Sequence, residues 1–152
     1  MTILTNQQGL EAAESTRRSG YATGMAGEFF VISSLFRLGH LPTLTLRNAK
    51  SIDILVEKTD GQLRKISVKA SRGGGKWMGV GKPGSGSPSL VYVLLLYKDF
   101  EDVKTQPEVY VIPSQDTDAI VDVWHDGSPA IYFSNADYRQ RIEKYRDAWH
   151  LI

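Results

Sequence analysis

The chain has 152 residues, 41% of them hydrophobic, with 18 Lys and Arg against 17 Asp and Glu and a formal net charge of +1. That length predicts one domain able to bury a core without staples. The lack of cysteine excludes a disulfide framework and any thiolate metal site, which suits a cytoplasmic location.

Residues 1–20 read as a polar N-terminal segment, either a frayed tail or a short helix, ahead of a single domain over 21–152. The segment has no apolar core, so no signal peptide is expected. From Thr23 to Leu38 the spacing predicts a helix, with Thr23 as N-cap, Gly39 as stop and an apolar stripe of Met25, Phe29, Ile32, Leu35 and Phe36. Glu28 interrupts that stripe. At about 100° per residue it falls between Ile32 and Leu35, and an inward carboxylate is costly unless paired. It is expected either to pair with a cation such as Lys69, to snorkel out at an edge, or to belong to a buried acidic site.

His40 to Arg47 predicts a strand with Leu44 and Leu46 on one face. A β-hairpin follows, Ser51–Val56 and Lys65–Ala70, turning at Thr59-Asp60-Gly61. With Gly61 left-handed, Lys58 pairs with Gln62, Ile54 faces Ile66, Ile52 faces Val68 and Asp53 faces Ser67. One sheet face then collects Ile52, Ile54, Val56, Ile66 and Val68, and the other carries Asp53, Ser67 and Lys69.

Ser71 to Ser89 holds seven glycines and two prolines and is expected to be a mobile loop. Its Gly81-Lys82 is followed by Pro83, which excludes a phosphate-binding loop of the nucleotide type. Arg64 to Lys82 contains six basic residues and no acid, so a local basic surface, including Arg72, Lys76 and Lys82, is expected either to meet nucleic-acid phosphates or to be a solvated basic loop. Trp77 either stacks on a base or tucks against the core.

Leu90 to Tyr97 is apolar throughout, as in a central strand covered on both faces, and too short to span a bilayer. Glu108–Ile112 predicts another strand, ended by Pro113. Ser114 opens a short helix through Val121, and Ile131–Phe133 forms a short strand. Ser134 and Asp137 form a capping box for a final helix with a core stripe of Tyr138, Ile142, Tyr145 and Trp149. The histidines, His40, His125 and His150, are scattered, with no pair at metal-ligand spacing.

The order helix with inward Glu28, strand, hairpin with Asp53 and then Ser67-x-Lys69, apolar strand resembles the PD-(D/E)XK nuclease superfamily, above all small Holliday junction resolvase-like proteins. The stretches carrying it are Gly24-Met-Ala-Gly-Glu28-Phe-Phe-Val-Ile-Ser-Ser-Leu-Phe-Arg-Leu-Gly39, Ile52-Asp53-Ile54-Leu55-Val56 and Ile66-Ser67-Val68-Lys69-Ala70, and the likeness runs over about residues 20–112. It implies an α/β, restriction-endonuclease-like mixed sheet flanked by helices. It also implies a metal-dependent DNA endonuclease: Asp53 and Glu28 binding Mg²⁺ (or Mn²⁺) with the Val68 carbonyl, and Lys69 supporting the attacking water. DNA is the implied partner, with no membrane and with a homodimer as an option. Two departures stand out. Ser67 occupies the position of the motif's Glu or Gln, and Ile52 that of its Pro. The alternative is a catalytically weakened or inactive protein of this fold that binds nucleic acid or a protein partner. A third reading is an unrelated α/β protein whose Asp53 and Lys69 form a salt bridge.

Overall fold

The computed structural model describes residues 2–45, 52–132 and 136–152. A long helix α1 (Thr2–Arg37) leads into β1 (Pro42–Leu44), β2 (Ile54–Glu57), β3 (Leu63–Arg72) and β4 (Lys76–Met78). There follow β5 (Leu90–Tyr97), β6 (Glu108–Pro113), a 3-10 turn over Ser114–Ala119, β7 (Asp122–Val123), β8 (Pro129–Tyr132), α2 (Ala136–Glu143) and a 3-10 turn at Trp149–Leu151. The main sheet has the order β1-β2-β3-β5-β6; a smaller one has the order β4-β8-β7. β3 and β5 run parallel and all other neighbours in the main sheet antiparallel. The fold is therefore α/β, a mixed five-stranded sheet flanked by helices.

The hairpin register follows the alternation in the sequence. Ile54 pairs with Ile66, the Lys58 amide donates to the Gln62 carbonyl at 2.8 Å, and Gly61 has φ +79°. β3 is central and β5 lies beside it, covered on both faces. Val91, Val93 and Leu95 join a core with Val31 and Leu35 of α1. Tyr92, Leu94 and Leu96 join a second core with Trp77, Ile131, Tyr138, Ile142 and Tyr145. Of the stripe expected on the last helix, Tyr138 and Ile142 lie buried on α2, which ends at Glu143, whereas Tyr145 (buried) and Trp149 (half-buried) lie beyond its end.

Four expectations are corrected. Thr23 does not cap a helix but lies well inside one. Residues upstream of it are mostly good helix formers without proline, and its hydroxyl donates to the Ser19 carbonyl one turn back. The buried face of α1 is Thr23, Gly27, Val31 and Leu35, whereas Phe29 and Phe36 are more than half exposed. Gly27 decides this. A Cβ there would stand 2.7 Å from the Ala70 Cβ, so the helix settles closest where it has no side chain.

The Gly-rich stretch, thirdly, is fastened rather than mobile. Val80 is fully buried, Ser87 and Ser114 exchange hydrogen bonds, and a Cβ on Gly81 would meet the Thr117 side chain at 2.5 Å. Fourthly, β1 is shorter than expected. Leu46, Arg47, Ser51 and the cap residue Ser134 lie outside the described residues.

Candidate functional site

β2 ends at Ile54 while its partner β3 continues to Arg72, so the two strands part and leave a fork. Asp53 stands at its mouth. Its amide donates to the Ile66 carbonyl at 2.9 Å. Because Ile66 is already the partner of Ile54, the ladder slips by one residue here, as at a β-bulge. The expected backbone pairing of Asp53 with Ser67 is therefore displaced. The carboxylate instead reaches along β3 and accepts the Val68 amide hydrogen at 2.6 Å.

Neighbouring backbone holds this arrangement. The Thr45 amide donates to the Asp53 carbonyl at 2.9 Å, and the Thr45 hydroxyl to the Ile52 carbonyl at 2.5 Å. In an extended strand a residue's N–H and C=O point to the same edge, so the Val68 carbonyl also faces the fork. One oxygen of Asp53 is engaged by that amide. The other has no hydrogen-bond partner among the described residues, and the half-buried carboxylate has no ion pair among them.

Ser67 and Lys69 lie on the face of β3 that meets the small sheet, alternating with Val68 and Ala70 on the α1 face. Lys69 Nζ lies 3.8 Å from where a Cβ on Gly79 would stand. Gly79 has φ +69°, a left-handed conformation that favours glycine, and its backbone packs beside the lysine. Among the described residues Lys69 makes no ion pair. Ser67 is 0% exposed, and its hydroxyl is buried without a hydrogen-bond partner.

Glu28 is half-buried on α1. It lies on the helix that packs on the Val68 and Ala70 face of β3, while Lys69 is on the opposite face of that strand.

The basic residues fare differently. Arg72 is spent on the fold: it donates to the Thr23 hydroxyl at 2.7 Å and the Ser19 carbonyl at 2.7 Å, pairs with Glu101 at 3.1 Å, and lies over the Phe100 ring. That corrects its reading as a loop residue free to meet phosphate. Trp77 is buried and donates to the Leu95 carbonyl at 2.9 Å, so its ring face is closed to a base. Lys76 lies 4.1 Å above the Trp124 ring, which itself stacks on Tyr132. Lys82 is exposed.

Three contributors were missed in the sequence. Thr45 and Gly79 act through backbone and space and leave no pattern. Trp124 stands beside His125 in a polar stretch, and only the pairing of β4 with β8 brings Lys76 and Tyr132 to it.

Mg²⁺ takes hard oxygen ligands and keeps several waters. The fork offers the uncommitted oxygen of Asp53 and the Val68 carbonyl, hard oxygens of the kind a water-rich ion takes. Among the described residues no group of three or more His, Asp or Glu side chains stands at metal-binding distance.

No protein-family model and no curated sequence matches the chain. Its architecture is a mixed five-stranded α/β sheet flanked by helices. The solved structure of a bacterial homing endonuclease, I-Ssp6803I, superposes with a TM-score of 0.58 at 20% identity, covering 88% of this chain and 92% of that one. At that identity the likeness is one of fold. No helix among the described residues is long and apolar enough to cross a membrane.

Proposed function

We propose that the chain is a metal-dependent DNA endonuclease of the PD-(D/E)XK type, acting at the β2–β3 fork. The observation that carries this reading is the Asp53 carboxylate held by the Val68 amide where the strands part, with Lys69 one residue further along β3. Asp53 and the Val68 carbonyl would hold Mg²⁺ or Mn²⁺, with Glu28 completing the set from α1. The ion supplies polarisation of the phosphate and a bound water of lowered pKa. Lys69 contributes a cation beside the attacked phosphate, where negative charge develops. Lys76 and Lys82 are the cations left to track the DNA backbone. The endonuclease of the same fold favours DNA as substrate.

The test is divalent-metal-dependent nicking of supercoiled and four-way-junction DNA. Wild type is expected to nick slowly, and better with Mn²⁺ than with Mg²⁺, because Ser67 adds no charge to hold the ion. Lys69→Ala is expected to lose activity while still binding metal. Activity unchanged in Lys69→Ala would overturn the assignment.

One observation favours the second reading, a protein of this fold that binds nucleic acid without cutting it. Ser67 replaces an acid and its hydroxyl is fully buried, so it reaches no ion in the fork. Salt-dependent DNA binding with no metal bound in a calorimetric titration would select that reading.

A further inference from the structure

The small sheet β4-β8-β7 has an inner and an outer face. Trp77 and Ile131 pair across its strands and belong to the second core. Side chains alternate along a strand, so Lys76 and Tyr132, the next pair along, share the opposite face. The β7–β8 hairpin brings Trp124 to them. The Trp124 amide donates to the Ser128 carbonyl at 3.0 Å, and the Trp124 carbonyl accepts from the Gly127 amide at 2.8 Å. Gly127 closes that turn with φ +81°.

The Trp124 and Tyr132 rings form an offset stack, with centroids 5.8 Å apart and planes 27° apart. The Lys76 ammonium lies 4.1 Å from the indole centroid and 5.9 Å from that of the phenol. A phenol behind the indole would stand much farther from that ammonium. Neither group therefore opposes the far face of the indole. All three residues are half-buried, and His125 beside them is exposed. Trp77 is tied to the core by its Nε1 bond, whereas Trp124 Nε1 has no hydrogen-bond partner among the described residues.

The same strand leads to the fork. Gly79 follows β4, packs its backbone beside Lys69 Nζ and donates to the Pro129 carbonyl at 2.8 Å. At about 3.3 Å per residue, Lys76 lies about 10 Å from Gly79 along the chain. That is about three base steps of one DNA strand.

We propose that Trp124 and Tyr132 form a stacking platform for an unpaired base, and that the preferred substrate is DNA whose duplex opens beside the cut. This rests on the endonuclease reading of the fork and adds the class of DNA. An aromatic face can stack on a base that has left the helix, whereas in intact duplex both faces of a base are taken. Charge does not carry the contact, because Asp122 and Asp126 of the same hairpin offset Lys76. Stacking is the term that remains.

Fluorescence anisotropy of labelled DNA with the full chain, without divalent metal, separates binding from cutting. The probes are a fully paired duplex and the same duplex with a short unpaired bubble. Wild type is expected to bind the bubble about tenfold or more tightly than the duplex. Trp124→Ala is expected to lose that preference while keeping its duplex affinity and its salt slope, since no phosphate contact is removed. Trp124→Phe keeps a ring and is expected to keep most of the preference. It also covers the case in which Trp124→Ala does not fold, as judged by circular dichroism. The bubble is expected to quench wild-type tryptophan fluorescence and to leave that of Trp124→Phe unchanged. Equal affinity of wild type for both probes, a folded Trp124→Ala that still prefers the bubble, or equal quenching in wild type and Trp124→Phe would each overturn the proposal. DNA binding without metal-dependent nicking would remove the endonuclease reading and leave the platform standing. Failure to bind either probe would overturn both.

Discussion

Two carboxylates placed at strand ends, Glu108 and Asp53, show what separates a structural acid from a candidate functional one. Glu108 begins β6 with its side chain 11% exposed and is closed in by cations. Lys98 pairs with it, Arg139 and Arg146 stand at 3.6 Å, and the Tyr110 hydroxyl donates at 3.1 Å. Burial works to raise its pKa. The bonds from Lys98 and Tyr110 and the charges of Lys98 and Arg146 more than offset that, so its carboxyl lies below the usual range. Burial, then Glu108, in turn push the Tyr110 hydroxyl up to about 12. Asp53 receives one backbone hydrogen bond and has no cation at ion-pair distance among the described residues. Glu108 finds its partners inside the protein. Asp53 is oriented by the protein and keeps acceptor capacity for something from outside it.

Exchanging charge at the two positions should separate these roles. Asp53→Asn is expected to cut divalent-metal-dependent nicking by on the order of 10²–10³-fold, with stability within about 1 kcal/mol of wild type because the amide oxygen can still accept from Val68. Glu108→Ala is expected to leave metal binding intact and to lower stability by about 1–3 kcal/mol, since it leaves three cations facing one another without their acid. Paired urea melts and Mn²⁺ titrations read both effects. A metal affinity lost in Glu108→Ala and kept in Asp53→Asn would invert the assignment.

The contrast also predicts an acid dependence. The folded-state pKa of Glu108 is depressed below its ordinary 4.5. Its stabilisation is therefore fully present above about pH 4.5 and drains away as pH falls through the folded-state value. Thermal melts from neutral pH down through this range should show wild type losing more stability than Glu108→Gln. Equal losses would mean that other carboxylates carry the effect.

The smallest change concerns Ser67. Ser67→Ala removes a buried hydroxyl that has no partner and is expected to keep stability or raise it by up to about 1 kcal/mol. Mn²⁺ affinity should fall far less than in Asp53→Asn. A comparable fall would show that Ser67 turns toward the ion. Ser67→Glu must place a longer, charged group into the same closed position, so any added metal affinity is expected to come with a loss of apo stability.

Much of the hairpin was legible in the chain, because strand alternation and a left-handed glycine are local constraints. Their consequences hold wherever the strands pack. The same is true of the run Leu90–Tyr97, which reads as a doubly covered strand, and of Tyr138 and Ile142 on α2, whereas the spacing carried on to Tyr145 and Trp149 runs past the helix end at Glu143. Local rules failed on α1. The hydropathy stripe through Phe29 and Phe36 pointed to solvent, because contact distance at Gly27 against Ala70 outweighed side-chain hydrophobicity. They failed again on the Gly-rich stretch, where the missing side chain of Gly81 admits Thr117 and converts apparent freedom into close packing.

For the candidate site, the sequence by itself determined which groups exist: Asp53, Lys69 and Glu28, and Ser67 where an acid was expected. Only the tertiary structure decided how they are presented. Strands of unequal length part at Asp53, and the slipped ladder sends its carboxylate to the Val68 amide. Trp77 and Arg72 are withdrawn into the fold by bonds to residues 18 and 49 positions away in the chain. Such placements depend on contacts between distant segments, and no periodicity in the chain records them.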